Sequence, residues 1–99
     1  MKNLKSSHRS YLSSKAHHLK PLIHIGNNGL IDGTIRSIKI ALAAKELIKI
    51  KFQEYKDDKQ ELSENIASDT QSHVVGIIGH TLILFKQNDN LEKQQYRLP

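Results

Sequence analysis

Two adjacent apolar runs near the end of the chain constrain its fold more than any other feature of the sequence. Residues 74–78 and 81–85 are almost continuously apolar and are separated by Gly79-His80, a two-residue connection with glycine first. Such a connection is typical of a type II′ β-hairpin, whose first loop residue takes a positive φ. Because strands that are apolar on both faces need cover on both sides for part of their length, the hairpin predicts a sheet with helices packed on it.

The first part of the chain predicts a helix, a strand and a second helix. Apolar residues spaced by seven and by four indicate a helix over residues 3–18, which ends before Pro21. Residues 22–25 form a short β-branched run, which predicts a strand. Apolar residues at 31, 35, 38 and 42 then predict a helix with a buried stripe.

The middle of the chain continues the alternation of helices and strands. Residues 46–52 alternate between apolar side chains and lysines, which is the pattern of a strand with one basic, solvent-exposed face. An aspartate cap at Asp57 or Asp58 predicts a third helix that runs to about Thr70. The sequence therefore predicts an α/β fold, a single-domain open sandwich in the order α-β-α-β-α-β-β, with a mixed four-stranded sheet and helices packed on it.

Length and composition limit the number of domains and the kinds of site. Ninety-nine residues fit one core, so we expect a domain over residues 1–86 and a polar tail over 87–99, either loosely held or adding an extended segment at 96–98. The chain has no cysteine, which excludes disulfides, thiolate metal sites and cysteine nucleophiles. No stretch approaches the roughly 20 apolar residues of a membrane span, and the first residues lack the apolar run of a secretory signal. We therefore expect a cytoplasmic protein that does not insert into membranes.

Charge is distributed unevenly along the chain. Residues 1–52 contain ten basic and two acidic side chains, whereas residues 53–99 contain five basic and eight acidic ones. A chain polarised in this way has one surface that attracts polyanions, which suits docking on nucleic acid in one orientation. The alternative is that the basic residues only keep exposed faces soluble.

The sequence offers no convincing catalytic or metal-binding group. Its six histidines include no H-E-x-x-H pair, and the adjacent His17 and His18 would point about 100° apart on a helix. The Asp57-Asp58 pair is explained by helix capping. We therefore expect no metal, no cofactor and no enzymatic activity.

The loop Gly26-Asn27-Asn28-Gly29 is the strongest candidate for a binding site. It lacks the third glycine of a dinucleotide-binding motif and the Gly-Lys-Ser/Thr ending of a P-loop. It is either a plain turn or a backbone clamp, in which flanking glycines let a phosphate-sugar chain approach a helix N-terminus. KH domains use a G-x-x-G loop in this way on single-stranded backbone. Basic residues on both sides of the loop favour the clamp.

Three blocks of the sequence together resemble the YhbY-like, or CRM-domain, RNA-binding proteins, named for chloroplast RNA splicing and ribosome maturation. The blocks are LKPLIHIGNNGL at 19–30, ELIKIK at 46–51 and IGHTLILF at 78–85, and the likeness covers residues 4 to about 86. It implies a fold similar to the C-terminal domain of bacterial translation initiation factor three. It also implies RNA binding through the glycine loop and, for a stand-alone bacterial type, association with precursors of the large ribosomal subunit.

Two positions depart from the pattern of that family. Asn27 and Asn28 are neutral where many relatives carry a basic loop residue, and His80 stands where lysine is frequent. The charge at His80 is therefore pH-dependent, and we expect either weaker RNA binding or binding that tightens on mild acidification.

The resulting hypothesis is an RNA-binding protein that docks on structured ribosomal RNA, with no catalysis. We expect the loop to approach the RNA backbone and six basic side chains to neutralise phosphates. Replacing Gly29 with a bulky β-branched residue should then weaken binding with little effect on thermal unfolding. The alternative is a protein-interaction or small-ligand module whose basic face meets an acidic partner. The candidate RNA-binding residues are Gly26, Asn27, Asn28, Gly29, Lys2, Lys5, Arg9, Lys20, Arg36 and Lys39.

Overall fold

The structure of the protein, a computed structural model, describes residues 4–99. Within these residues, helices and strands follow the predicted order α-β-α-β-α-β-β. They are α1 (Ser6–Ala16), β1 (Ile23–Ile25), α2 (Asp32–Lys45), β2 (Leu47–Phe52), α3 (Lys59–Thr70), β3 (His73–Ile78) and β4 (Thr81–Phe85). Single 3-10 turns precede α3 at Lys56–Asp58 and lie in the tail at Leu91–Lys93. None of the helices in this part of the chain is long and apolar enough to cross a bilayer.

The four strands form one mixed sheet in the order β1-β2-β4-β3. Strand β1 runs parallel to β2, with Ile25 opposite Phe52, and β4 is antiparallel to both of its neighbours. The central strands are therefore β2 and β4, and the edges are β1 and β3. This confirms the mixed four-stranded sheet that the sequence predicts.

Helices cover both faces of this sheet. Helices α2 and α3 pack on one face around Ile38, Leu42 and Ile66, and α1 packs on the other through Leu12 and Ala16. All four residues from Leu82 to Phe85 are buried, so the central strand β4 is covered on both sides, as its apolar sequence predicts. The edge strand β3 is buried only in part.

Two helix starts and one helix cap differ from the sequence expectations. The stripe predicted for α2 begins at Ile35, because Ile31 lies at the N-cap, before the first turn, and is 50% exposed. Asp58 occupies the N-cap of α3 as expected, but its side chain makes no capping hydrogen bond. Helix α1 begins at Ser6, and the buried Leu4 precedes it.

The hairpin between β3 and β4 has the predicted form. Gly79 has a φ of +60°, and His80 is not among the positive-φ residues, the combination that a type II′ turn requires. The pairing register shifts between Val74 and Gly76, which places a bulge in β3.

The tail is held by a buried carboxylate that the sequence analysis did not single out. Glu46 caps the end of α2 at a φ of +63° and is only 1% exposed. Its carboxylate accepts hydrogen bonds from the backbone N–H groups of Asn88 (2.6 Å), Gln95 (2.5 Å) and Tyr96 (3.2 Å). The Tyr96 ring meets Phe85 edge to face, with centroids 6.4 Å apart. The tail therefore packs on the α1 face and extends the core there.

Candidate nucleic-acid interface

The glycine loop forms a closed turn at the end of β1. The Gly29 N–H donates to the Gly26 carbonyl at 3.0 Å, and Gly29 has a φ of +64°, which favours glycine. Asn27 and Asn28 are exposed at the tip of the turn. Helix α2 begins three residues after Gly29, so its positive dipole end lies next to the loop.

Tyr55 holds this loop in place through its hydroxyl group and its ring. Its hydroxyl donates to the Asn27 carbonyl at 2.8 Å, and its ring packs against Gly29, where an added Cβ would lie 3.3 Å from two ring carbons. The backbone N–H groups of Gln53 and Glu54 both donate to the Ile25 carbonyl, which fixes this segment across the base of the loop. The sequence analysis missed this role, since the contact depends on the pairing of β1 with β2 and leaves no local pattern.

We expect Tyr55→Phe to weaken RNA binding about two- to tenfold, because it removes one hydrogen bond worth roughly 0.5–1.5 kcal/mol that holds the loop. Fluorescence anisotropy with a labelled ribosomal RNA fragment measures this change. Tyr11→Phe, at a half-buried tyrosine of α1, is the matched control and should bind as the wild type does. Equal affinity of both variants would show that the hydroxyl does not organise the loop for binding.

Three lysines that the sequence analysis did not select as site residues gather at the same end of the sheet. The Lys59 ammonium donates to the Gly79 carbonyl and lies 3.3 Å from Nδ1 of His80. The Phe52 N–H donates to the His80 carbonyl at 2.8 Å, which brings the hairpin tip to the end of β2. Lys51 and Lys56 also act electrostatically on His80. The hairpin tip is therefore cationic although position 80 is not lysine.

The predicted basic residues fall into two groups in space. Arg36 and Lys39 lie on α2, the helix that follows the loop, and both are exposed. They stand about one and two turns after the first residue of the helix. They line a cleft of about 430 Å³ together with Ile35 and the carboxylates of Asp32 and Asp69. These acidic neighbours offset part of the positive charge there.

The remaining predicted residues lie away from the loop. The Arg9 guanidinium donates to the Val74 carbonyl at 2.6 Å, on the edge strand opposite β1, about 14 Å across the sheet. Lys5 is exposed at the start of α1, and Lys20 precedes β1, at the strand end opposite the loop. Lys2 lies outside the described residues. The structure thus places Arg36 and Lys39 on the helix that follows Gly26–Gly29, and places Lys5, Arg9 and Lys20 elsewhere in the fold. Lys39 also lines a second cleft beside Lys86 and Asp89, where the tail begins.

The histidine at the hairpin tip adds a pH-dependent charge. Partial desolvation, and then the positive charges of Lys59 and Lys56, lower the pKa of His80 below its usual 6.5. His80 is therefore neutral at pH 7, and it gains its charge only as the pH falls below that value.

If RNA binds at this end of the sheet, protonated His80 adds a cation beside its phosphates, and we then expect RNA affinity to rise about two- to fivefold as the pH falls from 7.5 to about 5.5. The His80→Gln variant should show a smaller rise in RNA affinity over the same pH range. The comparison of the two pH profiles by anisotropy isolates the part that His80 supplies, since the other histidines are common to both proteins. Identical profiles would exclude His80 from the interface.

Among residues 4–99, no group of three or more His, Asp or Glu side chains is arranged to hold a metal ion. The site is thus built from backbone, amide and cationic groups. Such a set can bind an anionic chain.

Comparison with known proteins gives consistent matches over nearly the whole chain. The family model of the CRS1/YhbY (CRM) domain matches residues 4–86. The chain is 37% identical over 97 residues to "Probable RNA-binding protein YqeI" of Bacillus subtilis (strain 168), covering 97% of this chain and 99% of that one. It is 34% identical to a protein of Haemophilus influenzae named "RNA-binding protein", with 95% and 96% of the two chains covered.

A solved structure has the same fold. The solution structure of the hypothetical protein SAV1595 from Staphylococcus aureus superposes with a TM-score of 0.82 at 32% identity, covering 97% of this chain and 99% of that one. The mixed sheet with helices on both faces is therefore shared with an experimentally determined relative.

Proposed function

The chain belongs to the CRS1/YhbY (CRM) domain family, and on that basis we propose that it is a non-catalytic, cytoplasmic RNA-binding protein. Its RNA would be structured ribosomal RNA, bound during assembly of the large ribosomal subunit. The names of its relatives in Bacillus and Haemophilus support RNA as the partner. The choice of ribosomal RNA rests on the resemblance of its three sequence blocks to stand-alone bacterial members of the family.

The observation that carries this proposal is the position and support of the glycine loop. The loop is exposed at the end of β1, braced by Tyr55 and followed directly by the N-terminus of α2. Such a corner lets a phosphate-sugar chain approach the backbone closely, and the helix dipole favours its negative charge. Gly26 has no heavy atom within 4 Å of the place a Cβ would take, so the space beside it is open to a ligand.

Basic side chains in two places favour a folded RNA over a short strand. Arg36 and Lys39 lie on α2, the helix that follows the loop, and further lysines lie at the hairpin tip. Lys5 and Arg9 lie near the far edge of the sheet, where a second part of a folded RNA would meet them. An RNA that spans both groups covers more than one face of the domain.

The dependence of affinity on salt tests the electrostatic part of the proposal. If about five phosphates are neutralised, the slope of log affinity against log salt should lie between roughly −3.5 and −4.5. Anisotropy titrations of a ribosomal RNA fragment between 50 and 300 mM KCl would measure this slope. A flat response contradicts the proposed mechanism.

Crosslinking in cells, followed by sequencing of the attached RNA, tests the choice of partner. We expect reads concentrated in large-subunit ribosomal RNA and its precursors. Recovery of an acidic protein without RNA would instead favour the alternative, a protein-interaction module that uses the same basic face.

A further inference from the structure

One face of the sheet is covered only in part. Helix α1 and the tail pack over Leu47, Val75, Ile83 and Phe85, near the end of the sheet where the tail begins. Towards the glycine loop, beside the C-terminal end of α1, the side chains of the same face are exposed or half-buried. The residues that face outward there are His24, Lys49, Lys51, Ile78 and Thr81, and together they form what we call the open sheet face.

The register of the strands shows how these side chains are arranged. His24 is opposite Lys51 and Ile78 is opposite Thr81, and their chain neighbours Ile25, Phe52 and Ile77 point into the core under α2 and α3. Since successive side chains of a strand point to opposite faces, the residues of the open sheet face lie together on the α1 side.

A groove connects this face to the end of α1. It holds about 320 Å³ and is lined by Ser13, His17, Pro21, Lys49, Ile78, Thr81 and Ile83. None of these residues is acidic. Ile78 is 66% exposed and, with Pro21 and Ile83, supplies apolar surface to the groove.

The chemistry of the open sheet face combines cations with flat or apolar side chains. Lys49 and Lys51 attract phosphate, and the rings of His17 and His24 with the exposed Ile78 offer surfaces for a base. Bases in a double helix are paired and stacked, so only unpaired bases can reach such a groove. His24 stands two residues before Gly26, which makes this face continuous with the glycine loop.

We propose that the open sheet face seats the bases of a single-stranded RNA segment whose backbone the Gly26–Gly29 loop holds. This inference rests on the proposed RNA-binding function and adds to it the form of RNA that the site selects. The protein then binds where a structured RNA opens into unpaired nucleotides.

The test compares two RNA probes on two matched variants. The probes are a labelled uridine dodecamer and a blunt twelve-base-pair RNA duplex. Ile78→Thr removes apolar surface from the groove but keeps a β-branched side chain on the strand, and Leu91→Thr makes the same change at a 79% exposed leucine of the tail. Thermal unfolding of both variants verifies that they are folded.

We expect Ile78→Thr to lower affinity for the dodecamer about fourfold, the effect of losing roughly one buried methylene group, and to leave duplex binding within twofold of the wild type. Leu91→Thr should bind both probes as the wild type does. Lys51→Gln should weaken both probes, because it removes a phosphate contact.

Crosslinking adds a positional readout. A dodecamer that carries 4-thiouridine should crosslink to peptides that contain residues 17–24 or 73–83. Crosslinks confined to other peptides, or an Ile78→Thr protein that binds the dodecamer normally, would overturn this inference and leave the proposed function standing. A wild-type protein that binds neither probe nor ribosomal RNA would overturn both.

Discussion

Replacing Gly26 with valine is expected to lower RNA affinity about 10- to 100-fold while thermal unfolding stays unchanged. The free protein does not require glycine there: φ is not positive, and a Cβ would meet no heavy atom within 4 Å. An RNA backbone seated against the loop would meet the added methyl groups and lose one charge-assisted hydrogen bond, worth about 1.5–3 kcal/mol. Gly26→Ala should give a smaller loss in the same direction. Anisotropy and differential scanning calorimetry measure the two quantities on the same samples.

Gly33→Ala is the matched control for this experiment. Gly33 lies in the first turn of α2, close to the loop in sequence, and a Cβ there also has open space. It should bind RNA normally and unfold at the same or a slightly higher temperature, because alanine favours a helix. Normal RNA binding by Gly26→Val would contradict the backbone clamp.

A substitution at Gly29 cannot separate RNA affinity from thermal stability, contrary to the expectation from the sequence. Its φ of +64° disfavours any side chain, and a Cβ would press on the Tyr55 ring at 3.3 Å. A bulky residue at Gly29 should therefore cost about 1–3 kcal/mol of folding free energy as well as affinity. The decisive substitution is therefore at Gly26 and not at Gly29.

Replacing Glu46 with glutamine is expected to lower the free energy of unfolding by about 2 kcal/mol. One carboxylate oxygen accepts from the N–H groups of Gln95 and Tyr96 and the other from that of Asn88. The glutamine side chain has one acceptor oxygen, so its NH₂ group would face a buried N–H donor, which costs roughly 1–3 kcal/mol. Urea unfolding measures the loss, and amide hydrogen exchange should quicken first at Asn88, Gln95 and Tyr96.

Glu64→Gln, at an exposed glutamate of α3, serves as the control and should change stability by no more than about 0.5 kcal/mol. RNA affinity of Glu46→Gln should match the wild type wherever the variant is folded, since the tail packs at the sheet end away from the loop. A Glu46→Gln protein as stable as the wild type would show that the tail contributes little to the fold.

The order of the elements could be predicted from the sequence because each element leaves a local periodic pattern. The alternation of Ile48, Ile50 and Phe52 with lysines gave the correct faces of β2, and Gly79-His80 gave the correct turn. Ile31 shows the limit of this reasoning. It continues the helical spacing of α2, yet it stands before the first turn, and a spacing pattern does not mark where the chain enters a helix.

The candidate site could be predicted only in part, since its supports come from distant segments. Tyr55 is 26 residues from Gly29, and Lys59 reaches a hairpin 20 residues away. In the same way, Lys20 is near the loop in sequence but lies at the opposite end of β1. Residues at the two ends of a strand are close in sequence but lie far apart in the structure.

The outer edge of β3 carries a further consequence for the behaviour of the protein in a crowded cell. An open sheet edge invites strands from other molecules, which leads to aggregation. Here the register shift between Val74 and Gly76 bends the edge, and the Arg9 guanidinium occupies the Val74 carbonyl. The bulge and the occupied carbonyl therefore disfavour pairing of a second chain with this part of β3.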